Sequence, residues 1–238
     1  MKLTKLKNEF LSLLFPAKCA CCQKIILPSE EICPSCKEKL EFIEEKRCLR
    51  CGMGKSFCEC RFKIFRFDGI AAPFYNTGAV QKGIYNAKFR GHVSAHTFFI
   101  NQMCLVANKY FSDVSFDAVT FVPPSKKRIL QHGYNQSEIL AKGVARHLKV
   151  PVFNLLKRES KSKTQHEIRK SKERFENVRG IYSTRESKAL KNVLLIDDIK
   201  TTGATLNECA RCLKLSGVQN VYCLTAAVTN PRLKKPEK

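Results

Sequence analysis

The sequence lacks an apolar run of about 18 residues, the length that a helix needs to cross a membrane, so we expect no transmembrane segment. It also lacks a secretory signal, because the apolar stretch 10–15 is short and no small-residue cleavage pattern follows it. Apolar residues at helical spacing instead predict an amphipathic helix over residues 1–16 that docks on the domain behind it, with a membrane-surface role as the alternative. They are Leu3, Leu6, Phe10 and Leu14. A cytoplasmic location follows as an expectation.

Acidic residues are scarce. Asp and Glu number 21 against 43 Lys and Arg, which gives a formal net charge of +22. An excess of this size favours a polyanionic partner such as nucleic acid, anionic lipid or a phosphorylated ligand. The alternative is a basic surface that only keeps the protein in solution. Hydrophobic residues make up 44% of the 238 residues, which allows a buried core and argues against global disorder.

Cysteine, by contrast, is plentiful, and nine of the thirteen cysteines lie between Cys19 and Cys60. Zinc binds four thiolates in a tetrahedron, and C-x-x-C is the spacing at which one tight turn directs two sulfurs at one ion. In a chain without a secretion signal, such pairs indicate metal ligands rather than disulfides. We therefore predict structural Zn²⁺ in a zinc-ribbon-like domain over residues 17–61. The predicted ligands are Cys19, Cys22, Cys33, Cys36, Cys48, Cys51, Cys58 and Cys60.

Eight ligands allow two closed zinc sites. The segment is too short to bury a core of its own, so the metal would supply its folding energy. We favour one site from the first two pairs and another from the last two over an interleaved arrangement. Cys21 is a rival ligand to Cys19 or Cys22, and the C-x-x-C spacing leaves it out. The remaining cysteines are interpreted as small core or surface residues. They are Cys104, Cys209, Cys212 and Cys223.

From about residue 66 to residue 229, apolar runs alternate with amphipathic stretches, as in an α/β domain with a parallel sheet flanked by helices. Strands are predicted at 118–122, 192–196 and 221–228, with a further candidate at 150–156. Helices are predicted at 134–148 and 204–215. The charged stretch 157–188 is too long for a plain turn, which indicates a mobile functional loop or a linker. The chain ends in a basic tail over residues 230–238.

The most informative segment follows the strand predicted at 192–196. Two adjacent acids, Asp197 and Asp198, precede a loop of small hydroxyl residues and then a helix. Backbone N–H groups at a helix start, together with hydroxyls and a glycine, form a cradle for phosphate. Neighbouring carboxylates would repel that phosphate unless they bind hydroxyl groups or Mg²⁺. A ligand with a phosphate and a vicinal diol, such as ribose 5-phosphate, meets both needs. The loop consists of Thr201, Thr202, Gly203, Ala204 and Thr205.

An ordinary capped turn is the alternative, but it does not explain two acids before Thr-Thr-Gly-x-Thr. Residues 197–205 are similar to the signature with which type I phosphoribosyltransferases bind phosphoribosyl pyrophosphate (PRPP). Nearly the whole chain, from about Phe10 to Val228, resembles the ComF family of competence-associated proteins, which place a zinc-ribbon region before such a domain. The other segments that carry this resemblance are Phe15-Pro16, Lys88-Phe89-Arg90-Gly91, Val122-Pro123, Lys126-Lys127-Arg128, His132-Gly133-Tyr134-Asn135-Gln136, and Gln165, Ile168, Arg174, Asn177 and Val178.

The resemblance implies roles for the residues of the ligand site. Asp197 and Asp198 would hold the ribose hydroxyls of PRPP bound with Mg²⁺, and residues 201–205 would hold its 5-phosphate. A pyrophosphate loop would follow Pro123, and a mobile flap would cover residues 160–179. The residues implied for these two segments are Ser125, Lys126 and Lys127 in the loop, and Gln165, Arg174 and Asn177 in the flap. Departures from the family pattern at Phe121, Pro124-Ser125 and His132 bear on pyrophosphate binding more than on phosphate binding.

The resemblance also implies a function, namely the handling of incoming single-stranded DNA in natural transformation, with DNA-uptake or helicase machinery as further partners. Aromatic residues interleaved with basic ones between Phe57 and Phe67 could stack on bases, or could form the seam between the two domains. The alternatives are a salvage phosphoribosyltransferase with a purely structural zinc domain, and a PRPP-responsive binding module without turnover. Only two of the five histidines, His132 and His166, lie in loops that resemble active-site loops. Enzymatic activity therefore stays open at this point.

Overall fold

The computed structural model describes residues 16–58, 60–61, 63–90, 93–159, 180–185 and 189–233. It describes four helical residues by their backbone alone, namely Arg90, Lys127, Arg128 and His132. Almost all of the helix predicted over residues 1–16, the whole flap over 160–179 and most of the tail therefore lie outside the described residues.

A five-stranded parallel sheet forms the centre of the second domain. The strands of the chain are β1 (Gly69–Ala71), β2 (Phe74–Tyr75), β3 (Ala118–Phe121), β4 (Leu156–Arg158), β5 (Tyr182–Thr184), β6 (Asn192–Lys200) and β7 (Asn220–Val228). The sheet runs in the order β1, β7, β6, β3, and β2 pairs with β7 beyond the end of β1. All of its pairs are parallel. Because such a sheet is covered on both faces, its central strands are continuous apolar runs in the sequence.

Helices cover both faces of the sheet. The described α-helices are α1 (Pro34–Lys37), α2 (Gly78–Arg90), α3 (Val93–Tyr110), α4 (Lys126–His132), α5 (Gln136–Leu148) and α6 (Ala204–Leu215). Of these, α2, α3 and α5 pack on one face of the sheet and α6 on the other, whereas α1 belongs to the cysteine-rich region. Successive residues of a strand point to opposite faces, so Leu194 packs in one core cluster and Leu195 in the other. The cluster around Leu194 contains residues of α2, α3 and α5, whereas the cluster around Leu195 contains residues of α6 and of β4 and β5. The predicted fold class, a parallel sheet flanked by helices, is confirmed.

The observed elements differ from the predicted ones in three places. Strand β6 continues past Ile196 to Lys200, because its register with β7 runs on through Asp197 and Ile199. The candidate strand at 150–156 reduces to a single bridge between Val152 and Val119, with β4 beginning only at its end. The predicted elements leave residues 66–117 unassigned, and the structure places β1, β2, α2 and α3 there.

A small antiparallel hairpin of β4 and β5 stands apart from the main sheet. Leu156 pairs with Thr184 and Arg158 with Tyr182, so the charged stretch predicted at 157–188 begins and ends in this hairpin. Its inner residues Leu156 and Tyr182 are buried against α6. The Glu159 amide donates to the Ile181 carbonyl (2.8 Å), so the described residues on the two sides of the segment 160–179 are joined beyond β4 and β5.

The cysteine-rich segment packs directly against the edge of the sheet. The Ile43 amide donates to the Pro73 carbonyl (2.9 Å), and the Ile70 amide donates to the Leu49 carbonyl (2.7 Å). The Arg47 guanidinium donates to the Ala72 carbonyl. These bonds tie the zinc-ribbon region to β1 and β2 by their backbones. Within the described ranges, no helix is both long and apolar enough to cross a membrane.

Candidate functional site

The loop after β6 has the geometry of an anion cradle. Gly203, with φ of +86°, occupies the N-cap position of α6, a conformation that glycine adopts without a steric cost. The Ala204 amide donates to the Thr202 hydroxyl oxygen (3.3 Å), which folds the loop back over the helix start. A methyl group at Gly203 would lie 3.2 Å from the buried side chain of Lys200. The loop is therefore tightly packed against Lys200, while Thr201 is exposed and Thr202 and Thr205 are half-buried.

A cavity of about 420 Å³ lies at the carboxyl end of the sheet, above this loop. Of the predicted ligand residues, it brings together Asp197, Asp198, Thr201 and Thr205. Pro123 and Pro124, which follow β3, form another part of its wall. Ligands of open parallel sheets bind at the carboxyl ends of the strands, so the position of the cavity agrees with the general rule for such folds.

The two acids of the cavity have different partners. The Asp197 Oδ1 atom accepts a bond from the Ser137 hydroxyl (2.9 Å) and one from the Asp198 amide (2.9 Å). The Asp198 Oδ2 atom pairs with the Lys88 ammonium at 2.5 Å, and its Oδ1 atom accepts from the Ile199 amide (2.7 Å). Residues from α2 and α5 thus fix the orientation of both carboxyl groups, although each helix lies far from β6 in sequence.

The environment of Asp197 disfavours its charge. Burial, with the neighbouring Asp198 carboxylate as a second cause, raises the pKa of Asp197 from 3.8 to about 7. The bond from Ser137 and the charge of Lys88 act in the opposite direction but do not outweigh burial. Asp197 therefore changes its protonation state near neutral pH, and a ligand that supplies hydroxyl donors or a cation would favour its ionised form.

Several residues of the cavity were not among the predicted ligands. Lys88 belongs to a segment that carries the family resemblance, and Ser137 directly follows another. Arg158 and Tyr182 line the opposite wall, and the Arg158 guanidinium donates to the Tyr182 hydroxyl (3.0 Å). No sequence pattern predicts that Arg158 and Tyr182 form a pair, because they belong to two strands separated by the segment 160–179.

Other predicted ligand residues are placed differently. Ser125 directly precedes α4, where the Ile129 amide donates to its carbonyl (3.1 Å), and Lys126 begins that helix with an exposed side chain. Among the described residues, neither lines the cavity. The side chain of Lys127 lies outside the described residues. Three residues of the predicted flap also lie outside the described residues, and their ligand role stays a prediction. They are Gln165, Arg174 and Asn177.

Histidines contribute little to the described site. His96 is buried with its Nε2 atom 3.2 Å from the Gln136 side-chain oxygen, and His147 lies 3.0 Å from the Asn108 amide. No histidine lines the cavity in the part of the chain that the structure describes. His166 and the side chain of His132, the two candidates from the sequence, fall outside that part.

The cysteine-rich region contains two four-thiol clusters, and in each all four Sγ atoms lie within 4.8 Å of one another. They consist of Cys19, Cys22, Cys33 and Cys36, and of Cys48, Cys51, Cys58 and Cys60. Sulfurs bound to zinc at about 2.3 Å stand about 3.8 Å apart along the edges of the tetrahedron. Close sulfur pairs measure 3.7 Å in the first cluster and 3.5–3.6 Å in the second. The clusters therefore have the size that a zinc ion requires, in the grouping that we favoured over an interleaved one.

The thiol pKa values in the cysteine-rich region are shifted in both directions. Burial, followed by the charges of nearby cysteines, raises the pKa of the Cys21 thiol to about 12. Burial also acts against ionisation of Cys19, but backbone N–H donors outweigh it and lower the pKa of that thiol to about 7. The same balance lowers the pKa of Cys48 to about 7. Burial also raises the pKa of Cys36 and Cys51, which belong to the clusters, so thiol acidity does not distinguish the ligands from Cys21. Cys21 is left out because its sulfur lies outside both four-thiol clusters.

Aromatic residues between the two domains serve packing. Phe67 is buried in the core cluster that contains α6, and Phe65 stacks on it with ring centroids 4.9 Å apart. Phe57 contacts the edge of Tyr75 at 5.8 Å. Of the two interpretations of the aromatic segment 57–67, the domain seam is the one that these described residues fit.

Two family descriptions match the chain. Residues 10–61 match the "Double zinc ribbon domain", which contains both four-thiol clusters. Residues 135–238 match the "Phosphoribosyl transferase domain", which contains the two acids and the loop 201–205. The thiol clusters and the first match together support structural zinc in the N-terminal domain.

Similar proteins are known in bacteria. Competence protein ComFC of Bacillus subtilis (strain 168) is 31% identical over 207 residues, which are 81% of this chain and 82% of that protein. Competence protein F of Haemophilus influenzae (strain ATCC 51907 / DSM 11121 / KW20 / Rd) is 34% identical over 109 residues, which are 44% of this chain and 47% of that protein. Among solved structures, an allosteric regulatory enzyme of purine biosynthesis aligns with 56% of this chain and 26% of its own, at 22% identity and a TM-score of 0.39. A TM-score this low adds nothing about function.

Proposed function

Because this chain belongs to the ComF family of competence proteins, we propose that it binds PRPP with Mg²⁺ in the cavity above β6 and handles incoming single-stranded DNA in the cytoplasm during natural transformation. The observation that carries the first part is the meeting of Asp197 and Asp198 with the threonine loop in one cavity of about 420 Å³. A phosphate cradle beside two acids suits a phosphorylated ribose better than a simple anion, which the acids would repel.

The proposed binding mode assigns a separate task to each group of residues. The amides and hydroxyls of residues 201–205 hold the 5-phosphate at the start of α6. The carboxyl groups of Asp197 and Asp198 accept bonds from the two ribose hydroxyls. Lys88 keeps Asp198 in place through an ion pair of 2.5 Å and puts a positive charge beside the anionic ligand. Oxygen ligands of this kind suit Mg²⁺, which neutralises pyrophosphate charge when it is bound with PRPP.

The basic composition supports the second part of the proposal. A net charge of +22 favours a polyanion, and DNA binding that neutralises several phosphates weakens steeply as salt increases. We expect the affinity for a labelled single-stranded oligonucleotide to fall linearly on a plot of log affinity against log salt. An affinity that does not change with salt would contradict electrostatic DNA binding by this protein.

A salvage-type transferase is the second candidate, and the Arg158–Tyr182 pair favours it. An aromatic ring with a guanidinium 5.4 Å from its centroid, in the wall opposite the acids, could bind a planar acceptor. In such a transfer the bond between the anomeric carbon and the pyrophosphate oxygen breaks, and its electron pair leaves with pyrophosphate. The acceptor supplies the electron pair of the new bond.

Pyrophosphate release from PRPP and Mg²⁺ separates the two candidates. Purified protein would be tested with a panel of bases and with single-stranded DNA, beside a Tyr182→Leu variant. Release that requires one particular base and is lost in the variant would establish the salvage enzyme. No release with any acceptor, alongside salt-sensitive DNA binding, would support the DNA-handling protein.

A further inference from the structure

Helix α2 exposes an aromatic pair that the domain core does not use. The rings of Tyr85 and Phe89 stack with their centroids 4.5 Å apart and their planes at 28°. Tyr85 is 51% exposed and Phe89 is 49% exposed, whereas the other ring stack on this side of the sheet, Phe74 on Phe98, is buried. The two side chains, which we call the aromatic column, are thus both about half exposed at the surface of α2.

A groove runs beside the aromatic column, between α2 and the first zinc cluster. Its volume is about 420 Å³, and its walls include Lys82 and Tyr85 from the helix and Cys22 from the zinc knuckle. The Asn86 side chain donates to the Cys21 carbonyl (2.8 Å), which holds the knuckle against the helix. The groove is therefore a fixed feature of the surface, because a hydrogen bond from a helix side chain to the knuckle backbone connects its two walls.

The aromatic column and the ligand cavity share one helix. Lys88, one residue before Phe89, turns toward the sheet and pairs with Asp198. Since a helix rises about 1.5 Å per residue, the aromatic column lies within about one turn of the wall of the cavity. A second bond joins the same helix to the cavity, because the Tyr134 hydroxyl donates to the Ala87 carbonyl. The aromatic column and the wall of the cavity are therefore neighbours along α2.

The chemistry of this surface favours single-stranded nucleic acid as its occupant. Stacked rings bind unpaired bases through their faces, and flanking lysines bind the backbone phosphates. Lys82 lines the groove and is exposed, as are Lys18 and Lys24 of the zinc knuckle. Among the described residues that line the groove, none is acidic. Duplex DNA hides its base faces, so it cannot use the rings in this way.

We propose that the aromatic column of Tyr85 and Phe89 is a base-stacking platform for single-stranded DNA, with Lys82 as a phosphate contact. This rests on the proposed DNA-handling function and locates it on the molecule. It moves the DNA-stacking aromatics from the segment 57–67, which forms the domain seam, to the outer face of α2.

The test is fluorescence anisotropy with a labelled oligothymidylate of about 16 nucleotides, within the site size that single-strand binders cover. Four full-length proteins would be compared: wild type, Tyr85→Ala/Phe89→Ala, the conservative Tyr85→Phe/Phe89→Tyr, and Leu215→Ala. Leu215 is a matched control, because it is a 75% exposed apolar residue at the end of α6 on the opposite face of the sheet. Thermal unfolding of each variant would show that the fold is kept.

We expect the double alanine variant to bind about tenfold or more weakly, since each stacked base contributes substantially to such complexes. The conservative variant and Leu215→Ala should bind like wild type. Lys82→Gln should lower the slope of log affinity against log salt by about one.

Wild-type affinity in the double alanine variant would overturn the platform while leaving DNA binding intact. Absence of DNA binding by the wild-type protein would overturn the DNA-handling function together with the platform. If the double variant lost binding only to anionic vesicles and kept the oligonucleotide, the surface would belong to a membrane and the proposal would be wrong.

Discussion

At the scale of single residues, the site depends on how each acid of the pair is held. Asp198 has a cation at 2.5 Å, whereas the donors to Asp197 among the described residues are a hydroxyl and an amide. Asp198 is therefore held in place by an ion pair, whereas Asp197 gains or loses a proton near neutral pH. Neither partner, Lys88 or Ser137, was among the ligand residues predicted from the sequence, since each comes from a helix that is distant along the chain.

The protonation of Asp197 should make ligand binding dependent on pH. Its pKa of about 7 means that the carboxyl group is mostly neutral near pH 6 and mostly ionised near pH 8. The ionised form accepts hydroxyl bonds and attracts a cation, so the affinity for PRPP with Mg²⁺ should rise severalfold between about pH 6 and about pH 8. Calorimetric titrations across this range would measure the rise. The Asp197→Asn variant serves as the control, because any dependence that it retains comes from the ligand.

Removing Lys88 should destabilise the fold. The side chains of Lys88 and Asp198 are 18% and 11% exposed, so Lys88→Met would leave a mostly buried carboxylate without its cation. We expect a loss of about 1–3 kcal/mol in the free energy of unfolding, measured with urea. The matched control is Lys109→Met, which breaks an ion pair of 2.6 Å whose side chains are 53% and 85% exposed. That change should lower the free energy of unfolding much less than Lys88→Met does, and equal losses in both variants would contradict the importance of burial.

At the scale of elements, the zinc knuckles and the ligand cavity belong to one connected structure. The first knuckle is bonded to α2 through Asn86, and α2 supplies Lys88 to the cavity. The segment around the second cluster is bonded to β1 through the Leu49 carbonyl. Neither connection can be seen in the spacing of the cysteines. C-x-x-C spacing identifies the ligands of a site, but the surface against which a knuckle packs depends on tertiary contacts.

Single cysteine substitutions should divide the zinc content in a defined way. Cys22→Ser and Cys51→Ser each remove one thiolate from one cluster, so each protein should bind about one zinc ion firmly instead of two. Cys21→Ser should keep both ions, because Cys21 lies outside the two clusters. Mass spectrometry of metal content on dialysed protein measures this directly. Loss of zinc in Cys21→Ser, or retention of both ions in Cys51→Ser, would contradict the ligand sets.

Prediction from sequence succeeded for elements whose pattern is local. Helix α6 has the predicted bounds, and β7 differs from its prediction by one residue, because each is a periodic or continuous apolar run with clear ends. Strand β6 was predicted too short, since Asp197 and Asp198 interrupt the apolar run although their backbone stays paired with β7. Helix α3 was not assigned. Its buried residues include Phe98, Phe99 and Met103, and with so many apolar positions its polar face is too narrow to give a clear helical period.

At the scale of the whole molecule, the zinc-ribbon region packs against a parallel sheet, the ligand cavity lies at the carboxyl end of that sheet, and the aromatic column forms a surface on α2. The order of the domains and the fold class could be predicted because each domain carries its own signature, namely the paired cysteines and the acid-threonine loop. The surface of the aromatic column could not be predicted, because the exposure of Tyr85 and Phe89 depends on which side of α2 packs against the sheet. For the same reason, the sequence did not decide whether the aromatic segment 57–67 stacks on DNA bases or forms the seam between the domains.

The measurement that tests the central claim most directly is a calorimetric titration of PRPP with Mg²⁺ into the full-length protein and into Asp197→Asn/Asp198→Asn. We predict saturable binding of one PRPP to the wild-type protein and a loss of affinity of at least about a hundredfold in the double variant, whose fold and zinc content stay unchanged. Equal affinity in both proteins, or no binding to the wild type, would contradict the assignment of the cavity as a phosphoribosyl site.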